Sequence, residues 1–423
     1  MLSAVRSQSV LRSPSYDARL LFVTRFTRLF AYGALSVVLV FYLTGIGLSE
    51  SRIGMLLTLI LLGDTVVSLV LTTQADRIGR RRMLILGSFL MAGAGLAFAC
   101  TSNFLFLVIA GTIGVVSPSG NEVGPFLSIE QAALAHVVPS STRTTAFAWY
   151  TLTGSFATAI GSLCGGMLPS LVDSGGANPI KGYRAVVIVY AALGMVLTLV
   201  FARLSSATEV GPAEDRLSGL AAKKTLLGIG HSREIVLKLS GLFALDSFGG
   251  GFIVQSFAAY WFYLRFGVKP AALGAIFFGA NLFAGVSALL ASRLALRFGL
   301  VRTMVFTHLP SNILLILLPL MPTLRLAIAV LLLRFSISQM DVPTRQSYTM
   351  AVVRPEERSA AAGITGVART IGASIPPMFV GLMFAKPRLI NVPFFIAGAL
   401  KIAYDLLLYR KFVAIRPPEE VLR

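Results

Sequence analysis

The stretch QADRIGRRR at positions 74–82 returns in outline as LALRFGLVR at positions 294–302, and this internal repeat decides the fold. The two stretches align residue for residue at an offset of 220, and each follows a long apolar run. A duplication of this length predicts two similar halves with a site at their interface. Other matching residues are Gly47 with Gly267, Gly54 with Gly274 and, at an offset of about 215, Pro139 with Pro355 and Arg143 with Arg358.

Composition places most of the chain in lipid. Hydrophobic residues make up 56% of the 423 residues and charged residues 13%, with a mean hydropathy of +0.80. Soluble chains are about a quarter charged, and runs of about 18 or more apolar residues are long enough to cross a bilayer as helices. The first run is too long for a signal peptide and lacks a cleavage site. The predicted spans are 20–44, 53–73, 83–101, 104–137, 145–171, 185–202, 236–264, 271–292, 303–321, 326–353, 359–385 and 389–409.

The formal net charge of +19 predicts an orientation. Basic residues collect in the loops that share a side with both termini, and the positive-inside rule places that side in the cytoplasm. We expect the membrane to be a plasma or inner cell membrane. The basic residues are scattered over helix ends rather than gathered on one face, which argues against nucleic-acid binding. We predict a six-helix bundle over 1–202, a cytoplasmic linker over 203–235 and a second six-helix bundle with a short tail over 236–423.

The segment from Thr72 to Leu84 resembles motif A of the major facilitator superfamily, in the loop between helices 2 and 3. The resemblance implies an all-α membrane protein of twelve transmembrane helices in two pseudo-symmetric halves. It also implies a conformational latch, in which Asp76 pairs with an arginine or a helix N-terminus and Gly79 permits the turn. Alternatively, the arginines only follow the positive-inside rule. The matching residues are Asp76, Arg77, Gly79, Arg80 and Arg81, whereas Thr72 and Gln74 replace the usual glycine and leucine.

A glycine-rich segment in the fifth span resembles motif C of the drug:proton antiporters, the group that this chain is closest to in character. The proline expected in that motif is absent. The same glycines also suit ordinary close packing of membrane helices, so both interpretations stay open. The residues are Gly154, Gly161, Gly165 and Gly166.

Ionisable residues inside the spans are concentrated on helices 1, 4, 7 and 10. A charge in hydrocarbon is costly, so each is a functional hypothesis, and the resemblance implies that these four helices line a central cavity. The candidates for substrate binding or proton coupling are Arg25 and Arg28 on helix 1, Glu122 and Glu130 on helix 4, Asp246 on helix 7, and Arg334, Asp341 and Arg345 on helix 10. Four further interior residues are interpreted as local: Asp64, Arg369, Lys401 and Asp405.

Helix depth predicts partners for these charges. Glu130 lies at the depth of Arg25 and Arg28, and Asp246 lies at the depth of Arg345, so the halves should hold equivalent pairs with the signs exchanged. Each pair is either a permanent bridge or a switch whose acid is released to take up a proton or a cationic substrate. Two deeper acids without an obvious fixed partner in the opposite helix, Glu122 and Asp341, are predicted to act in function.

Two helix breaks support a central site. The sequence PSGNEVGP at 118–125 should interrupt helix 4, and Asp341-Val342-Pro343 should interrupt helix 10. Paired breaks in the two halves point to a binding site, although 117–125 could instead be an external loop. Gln255, Asn281 and Tyr260 are candidates for lining a pocket.

Chemical motifs of enzymes are missing from the sequence. It contains no phosphate-binding loop, and its three histidines and two cysteines are widely separated, so we expect no metal, cofactor or catalytic site. The preferred function is secondary active transport of a small solute by a monomer in the bilayer, as proton-coupled efflux. The alternatives are a proton symporter or uniporter for an organic anion, suggested by the cavity arginines, and a transporter-like sensor or lipid-handling protein that does not cycle.

Overall fold

The computed structural model describes residues 16–120, 125–139, 142–173, 178–209, 230–354 and 357–415. Glu122 therefore lies outside the described residues, and so does the side chain of Asp76. Most of the predicted linker, residues 210–229, also lies outside them, and the predicted division into domains stays a prediction.

The described chain is built from helices, numbered here by the crossing to which they belong. Eleven segments are long and apolar enough to span a membrane, and α4 crosses in two shorter pieces. The first half contains α1 (Tyr16–Gly45), α2 (Glu50–Ile78), α3 (Arg80–Cys100), α4a (Phe104–Ile113), α4b (Phe126–Val137), α5 (Arg143–Val172) and α6 (Pro179–Phe201). The second half contains α7a (Arg233–Gly251), α7b (Gln255–Phe266), α8 (Pro270–Phe298), α9 (Leu300–Leu317), α10a (Leu324–Ser338), α10b (Asp341–Ala351), α11a (Arg358–Ser374), α11b (Pro376–Phe384) and α12 (Val392–Phe412). The predicted fold class is confirmed.

Glycines with positive φ repeat between the halves at the offset read from the sequence. Gly79 (φ +117°) joins α2 to α3, and Gly299 (φ +87°) joins α8 to α9. Gly47 (φ +94°) and Gly267 (φ +67°) occupy the turns that precede α2 and α8. Glycine adopts this part of backbone space without the steric cost that a Cβ brings, so the same tight turns recur in both halves.

The two halves pack closely at the end of the molecule opposite to the start of α1 and the end of α12. We call that end the far end and the other the terminal end. A Cβ on Gly54 of α2 would lie 2.8 Å from the Cα of Gly381 on α11b, and a Cβ on Gly166 of α5 would lie 2.7 Å from the Cα of Gly274 on α8. These two backbone contacts are related by the repeat, and glycine at each position allows the helices to approach this closely.

Hydrogen bonds join the halves next to these glycines. The Gln255 side-chain amide donates to Ser36 Oγ at 2.8 Å and to Ser162 Oγ at 3.0 Å, and Asn281 donates to Gln255 Oε1 at 3.2 Å. Gln255 and Asn281 were candidates for lining a pocket, but in this state they are buried in the seam between the halves. Tyr260, the third candidate, donates to Glu50 Oε1 at 3.1 Å.

Four crossings are interrupted. The predicted interruption of helix 4 separates α4a from α4b, and that of helix 10 falls between Ser338 and Asp341. The breaks between Gly251 and Gln255 in α7 and at Ile375 in α11 were not predicted. Interrupted helices in a bundle free backbone polar groups, which are tolerated where they border protein or a wet cavity.

Candidate functional site

The first half contains a fully buried ion pair between α1 and α4b. Arg28 donates from Nη1 and Nη2 to the two oxygens of Glu130, at 2.8 and 2.7 Å, and both side chains are 0% exposed. Thr24 donates to the same carboxylate at 2.7 Å, and the Tyr150 hydroxyl donates to its other oxygen. This is the pair that helix depth predicted, and with four donors the Glu130 carboxylate is well compensated for the loss of water.

Arg25 lies beside this pair, with its guanidinium 4.8 Å from the centre of the Tyr150 ring. Gly154 on α5 makes room for it, because a Cβ there would lie 2.7 Å from Arg25 Nε. Gly161 and Gly165 of the same segment pack against the α1 backbone at Phe30 and Ala34. The glycines of the fifth span therefore serve close packing, which is compatible with both interpretations of that segment.

Asp246 on α7a is the centre of a larger network in the second half. Its Oδ1 accepts from Lys401 Nζ at 2.6 Å, and its Oδ2 accepts from Arg345 Nη1 at 3.1 Å. Nη1 of Arg345 also lies 3.1 Å from Oδ2 of Asp341. Asp341 was expected to lack an obvious fixed partner in the opposite helix; its partner is Arg345, which lies one turn along the same helix and reaches both acids.

His308 extends the network to α9 and α12. Its Nδ1 lies 2.8 Å from Oδ1 of Asp405, and its Nε2 lies 3.8 Å from Oδ1 of Asp246. Asn312 donates to the other oxygen of Asp405 at 2.9 Å. Lys401 and Asp405 were interpreted as local, and this was wrong, because α9 and α12 pack their polar faces against α7a.

The predicted exchange of signs is present. The acid Glu130 lies on α4b opposite basic residues on α1, whereas in the second half the acid Asp246 lies on α7a opposite Arg345 on α10b. Whether either pair opens during function stays a prediction. In the described chain, no three His, Cys, Asp or Glu side chains are arranged as a metal site would require.

Arg334 on α10a and Arg369 on α11a lie near the second network without joining it. Both side chains are partly buried, and neither has a carboxylate within 4.0 Å among the described residues. Arg334 interacts electrostatically with Asp246 and Asp341, and Arg369 interacts with Arg345 as well as with the two acids. Arg369 had been set aside as local, but it belongs to the same neighbourhood.

The predicted latch lies at the terminal end of the first half. Glu209, just after α6, accepts hydrogen bonds from the backbone N–H groups of Arg80 (2.7 Å) and Arg81 (3.1 Å), the first residues of α3. A cavity of 620 Å³ opens here, with Arg77 also in its wall. An acid does meet a helix N-terminus at this loop, but it is Glu209, which the sequence analysis missed; the side chain of Asp76 lies outside the described residues.

A second acid has the same role in the second half. Glu357 accepts from the backbone N–H groups of Gly230 (2.6 Å), His231 (3.0 Å) and Ser232 (2.9 Å) at the start of α7a. Hydrogen bonds from Ser232, Gly230 and His231 lower the pKa of Glu357 from about 4.5 to about 2, because they favour its charged form. Glu357 thus fastens the loop after α10b to the beginning of α7a.

Comparison with known proteins identifies relatives along almost the whole chain. The sequence profile of the Major Facilitator Superfamily matches residues 21–377. The chain is 31% identical to the uncharacterized membrane protein YJR124C of Saccharomyces cerevisiae over 431 residues, which covers 95% of both chains.

Solved transporter structures share the fold at low sequence identity. A bacterial homolog of the human lysosomal transporter Spinster, in an inward-facing and occupied conformation, superimposes with a TM-score of 0.72 at 16% identity, covering 95% of this chain and 98% of its own. The xylose transporter XylE from E. coli, in its inward open conformation, gives a TM-score of 0.71 at 16% identity, with coverages of 96% and 98%. The nucleoside transporter NupG gives 0.71 at 13% identity, with coverages of 94% and 99%.

Proposed function

The chain belongs to the major facilitator superfamily and is a transporter, not an enzyme, and we propose that it couples the movement of a small organic solute to protons. The observation that carries this proposal is the network around Asp246, which brings three carboxylates, two permanent cations and one histidine into contact across four helices. Ionisable residues at membrane depth mark proton relays and ion pathways in pumps and transporters.

His308 is positioned to carry the proton. A protonated imidazole has two N–H donors, and here each nitrogen faces a different acid, Asp405 on one side and Asp246 on the other. A neutral imidazole keeps only one donor, so loss of the proton weakens one of the two contacts. The imidazole is the one group in this network whose ordinary charge change falls between pH 5 and 8.

Alternating access supplies the coupling. The partners of Asp246 come from α10b and α12, so a movement of either helix relative to α7a separates the acid from Arg345 or Lys401. A carboxylate that loses its cation in a low-dielectric site binds a proton more readily, and restoring the cation expels the proton again. Proton uptake and release would then accompany the change between states.

The test is solute-driven proton movement in liposomes. Purified protein, reconstituted with a pH-sensitive dye inside, is screened against small cations, anions and neutral sugars to find a solute that changes the internal pH. With that solute, His308→Gln and Asp246→Asn should lose the pH change. In His308→Gln, Asp405 keeps its hydrogen bond from Asn312 and Asp246 keeps Lys401 and Arg345, so we expect this variant to remain folded and to move the solute without protons.

Glu234→Gln is the matched control, because Glu234 lies on the same helix but is exposed and pairs only with Lys238 in the next turn. It should behave as the unsubstituted protein does. A normal pH change in both His308→Gln and Asp246→Asn would remove the network from the mechanism. The absence of any solute-driven pH change across the whole screen would reject proton coupling itself.

The same liposome assay distinguishes proton antiport from proton symport. Proton antiport, the mode that the antiporter resemblance implies and that efflux would use, moves protons against the direction of the solute, whereas symport moves them with it. We propose a monomer in the plasma or inner cell membrane with both termini in the cytoplasm, so that the terminal end faces inward.

A further inference from the structure

The second half contains more buried positive charge than its acids can balance. In the described part of that half, the acids away from the helix ends are Asp246, Asp341 and Asp405. The permanent cations at similar depth are Arg334, Arg345, Arg369 and Lys401. One positive charge therefore remains even when His308 is neutral, and two remain when it is protonated.

The excess positive charge is carried by Arg334 and Arg369. Arg345 and Lys401 are held by Asp246 and Asp341 at 2.6 to 3.1 Å. By contrast, the Nε atoms of Arg334 and Arg369 are buried and have no hydrogen-bond partner. The nearest interaction recorded for the Arg334 guanidinium is with the ring of its neighbour Phe335, 5.2 Å away. A buried donor without a partner destabilises the protein, and does so more when it is charged.

Both arginines lie near the middle of their membrane crossings, Leu324–Ala351 and Ala360–Phe384. Arg334 is about 15 Å along the α10 crossing from Leu324, and Arg369 is about 17 Å along α11a from Arg358, at 1.5 Å per residue. Substrate sites in transporters with this architecture lie near the bilayer midplane, between the repeats and beside interrupted helices. Both α10 and α11 are interrupted, at Gln339 and at Ile375.

We propose that Arg334 and Arg369 bind the anionic group of the transported solute, a carboxylate, sulfonate or phosphate ester. This inference rests on the proposed transport function and names the class of solute. Two guanidinium groups without carboxylate partners provide the planar, forked donors that match such oxyanions, and the bound anion neutralises the excess charge of the half.

The proposed anion site also links solute binding to proton binding. Arg369 interacts with Arg345, the residue that holds Asp246 and Asp341, while Arg334 interacts with both of these acids. An anion bound by Arg334 and Arg369 brings negative charge next to the network. That charge stabilises positive charge on Lys401, Arg345 and His308. Proton binding by the network is favoured when the anion is present, so the two would travel together.

Thermal stability of the purified protein tests the binding separately from transport. Three sets each compare an anion with partners that lack its anionic group: benzoate with benzamide and benzylamine, glycerol 3-phosphate with glycerol, and lysophosphatidic acid with monoacylglycerol. We expect the anion of at least one set to raise Tm and its neutral partner to have no effect. The third set distinguishes a lipid headgroup from a soluble solute, and either source supports the site.

The variants Arg334→Gln and Arg369→Gln should weaken the apparent affinity for that anion about tenfold or more. Arg325→Gln is the control, because Arg325 lies on the same helix as Arg334 but is exposed at its start. Without ligand, the two site variants should be at least as stable as the unsubstituted protein, since each removes an uncompensated charge. Arg369→Lys, which keeps the charge but not the fork, should bind with intermediate affinity.

Three results would overturn the proposal: no anion in the three sets raises Tm, the neutral partners act equally, or both glutamine variants keep the full affinity. The coupling network is tested independently, because Asp246→Asn should stop proton movement but preserve anion binding. If Asp246→Asn couples normally while Arg334→Gln no longer binds the anion, the proposed role of the network in coupling is rejected and the proposed anion site is supported.

Discussion

Two glutamates set the geometry of the terminal end, one residue for each half. Glu209 accepts from the first backbone N–H groups of α3, and Glu357 accepts from those that precede α7a. The first N–H groups of a helix have no partner within it and carry partial positive charge, so an acid placed there is stabilising. Each glutamate comes from a distant segment, and it therefore fixes the position of a connection as well as capping a helix.

Glu357 makes stability depend on pH. Its pKa is about 2 in the folded protein and near 4.5 without these contacts. Because the folded-state pKa is the lower one, the carboxylate stabilises the fold above about pH 4.5, and this contribution is lost as the pH falls toward 2. We expect Glu357→Gln to lower Tm at pH 7, and the difference from the unsubstituted protein to shrink steadily between pH 4.5 and 2.

Glu234→Gln, at an exposed acid of the same half, should show no comparable difference at pH 7. A Tm difference for Glu357→Gln that is equal at pH 7 and pH 3 would contradict the role of its charge. Melting curves in detergent at five pH values between 7 and 2.5 suffice to distinguish the two results.

At the scale of helices, two glycine contacts decide which end of the molecule is closed. Gly54 meets Gly381 between α2 and α11b, and Gly166 meets Gly274 between α5 and α8. Each pair brings two backbones from different halves into direct contact at the far end. The pairs are related by the repeat, so we expect the two seams to separate together if the halves move apart at the far end.

Gly381→Ala should weaken the closed far end. The added Cβ would lie 2.4 Å from the Glu50 carbonyl oxygen and 2.8 Å from the Gly54 Cα, so the backbones must separate. Such overpacking costs about 1–3 kcal/mol, which shifts a balance between two states by about 5- to 150-fold. Spin labels at the exposed positions 81 and 302, measured by electron resonance, should show shorter distances as the terminal end closes.

Gly363→Ala is the matched control, because no atom lies within 4 Å of a Cβ at that position. It should leave the label distances unchanged. The labels require the two free and exposed cysteines, Cys100 and Cys164, to be replaced first. An unchanged distance distribution in Gly381→Ala would mean that the far-end seam does not control the conformation.

At the scale of the whole molecule, the sequence was informative wherever a signal was local or repeated. The offset of 220 predicted the halves and their tight turns, and helix depth predicted which of Arg28, Glu130, Asp246 and Arg345 would pair. Contacts made through lateral packing were missed, since no periodicity in the sequence says that α9 and α12 flank α7a. Lys401 therefore looked local, although its ammonium is 2.6 Å from Asp246.

The basic loops favour an orientation with both termini in the cytoplasm, and α8 offers a direct test of this prediction. Lys269 precedes this crossing and Arg302 follows it, so the two lie on opposite faces, and both are exposed. With the termini in the cytoplasm, Lys269→Cys should react with a membrane-impermeant maleimide on intact cells, and Arg302→Cys only after permeabilisation. The cysteine-free parent is the blank. The opposite pattern would invert the molecule and place the far end, where the two glycine contacts join the halves, on the cytoplasmic side.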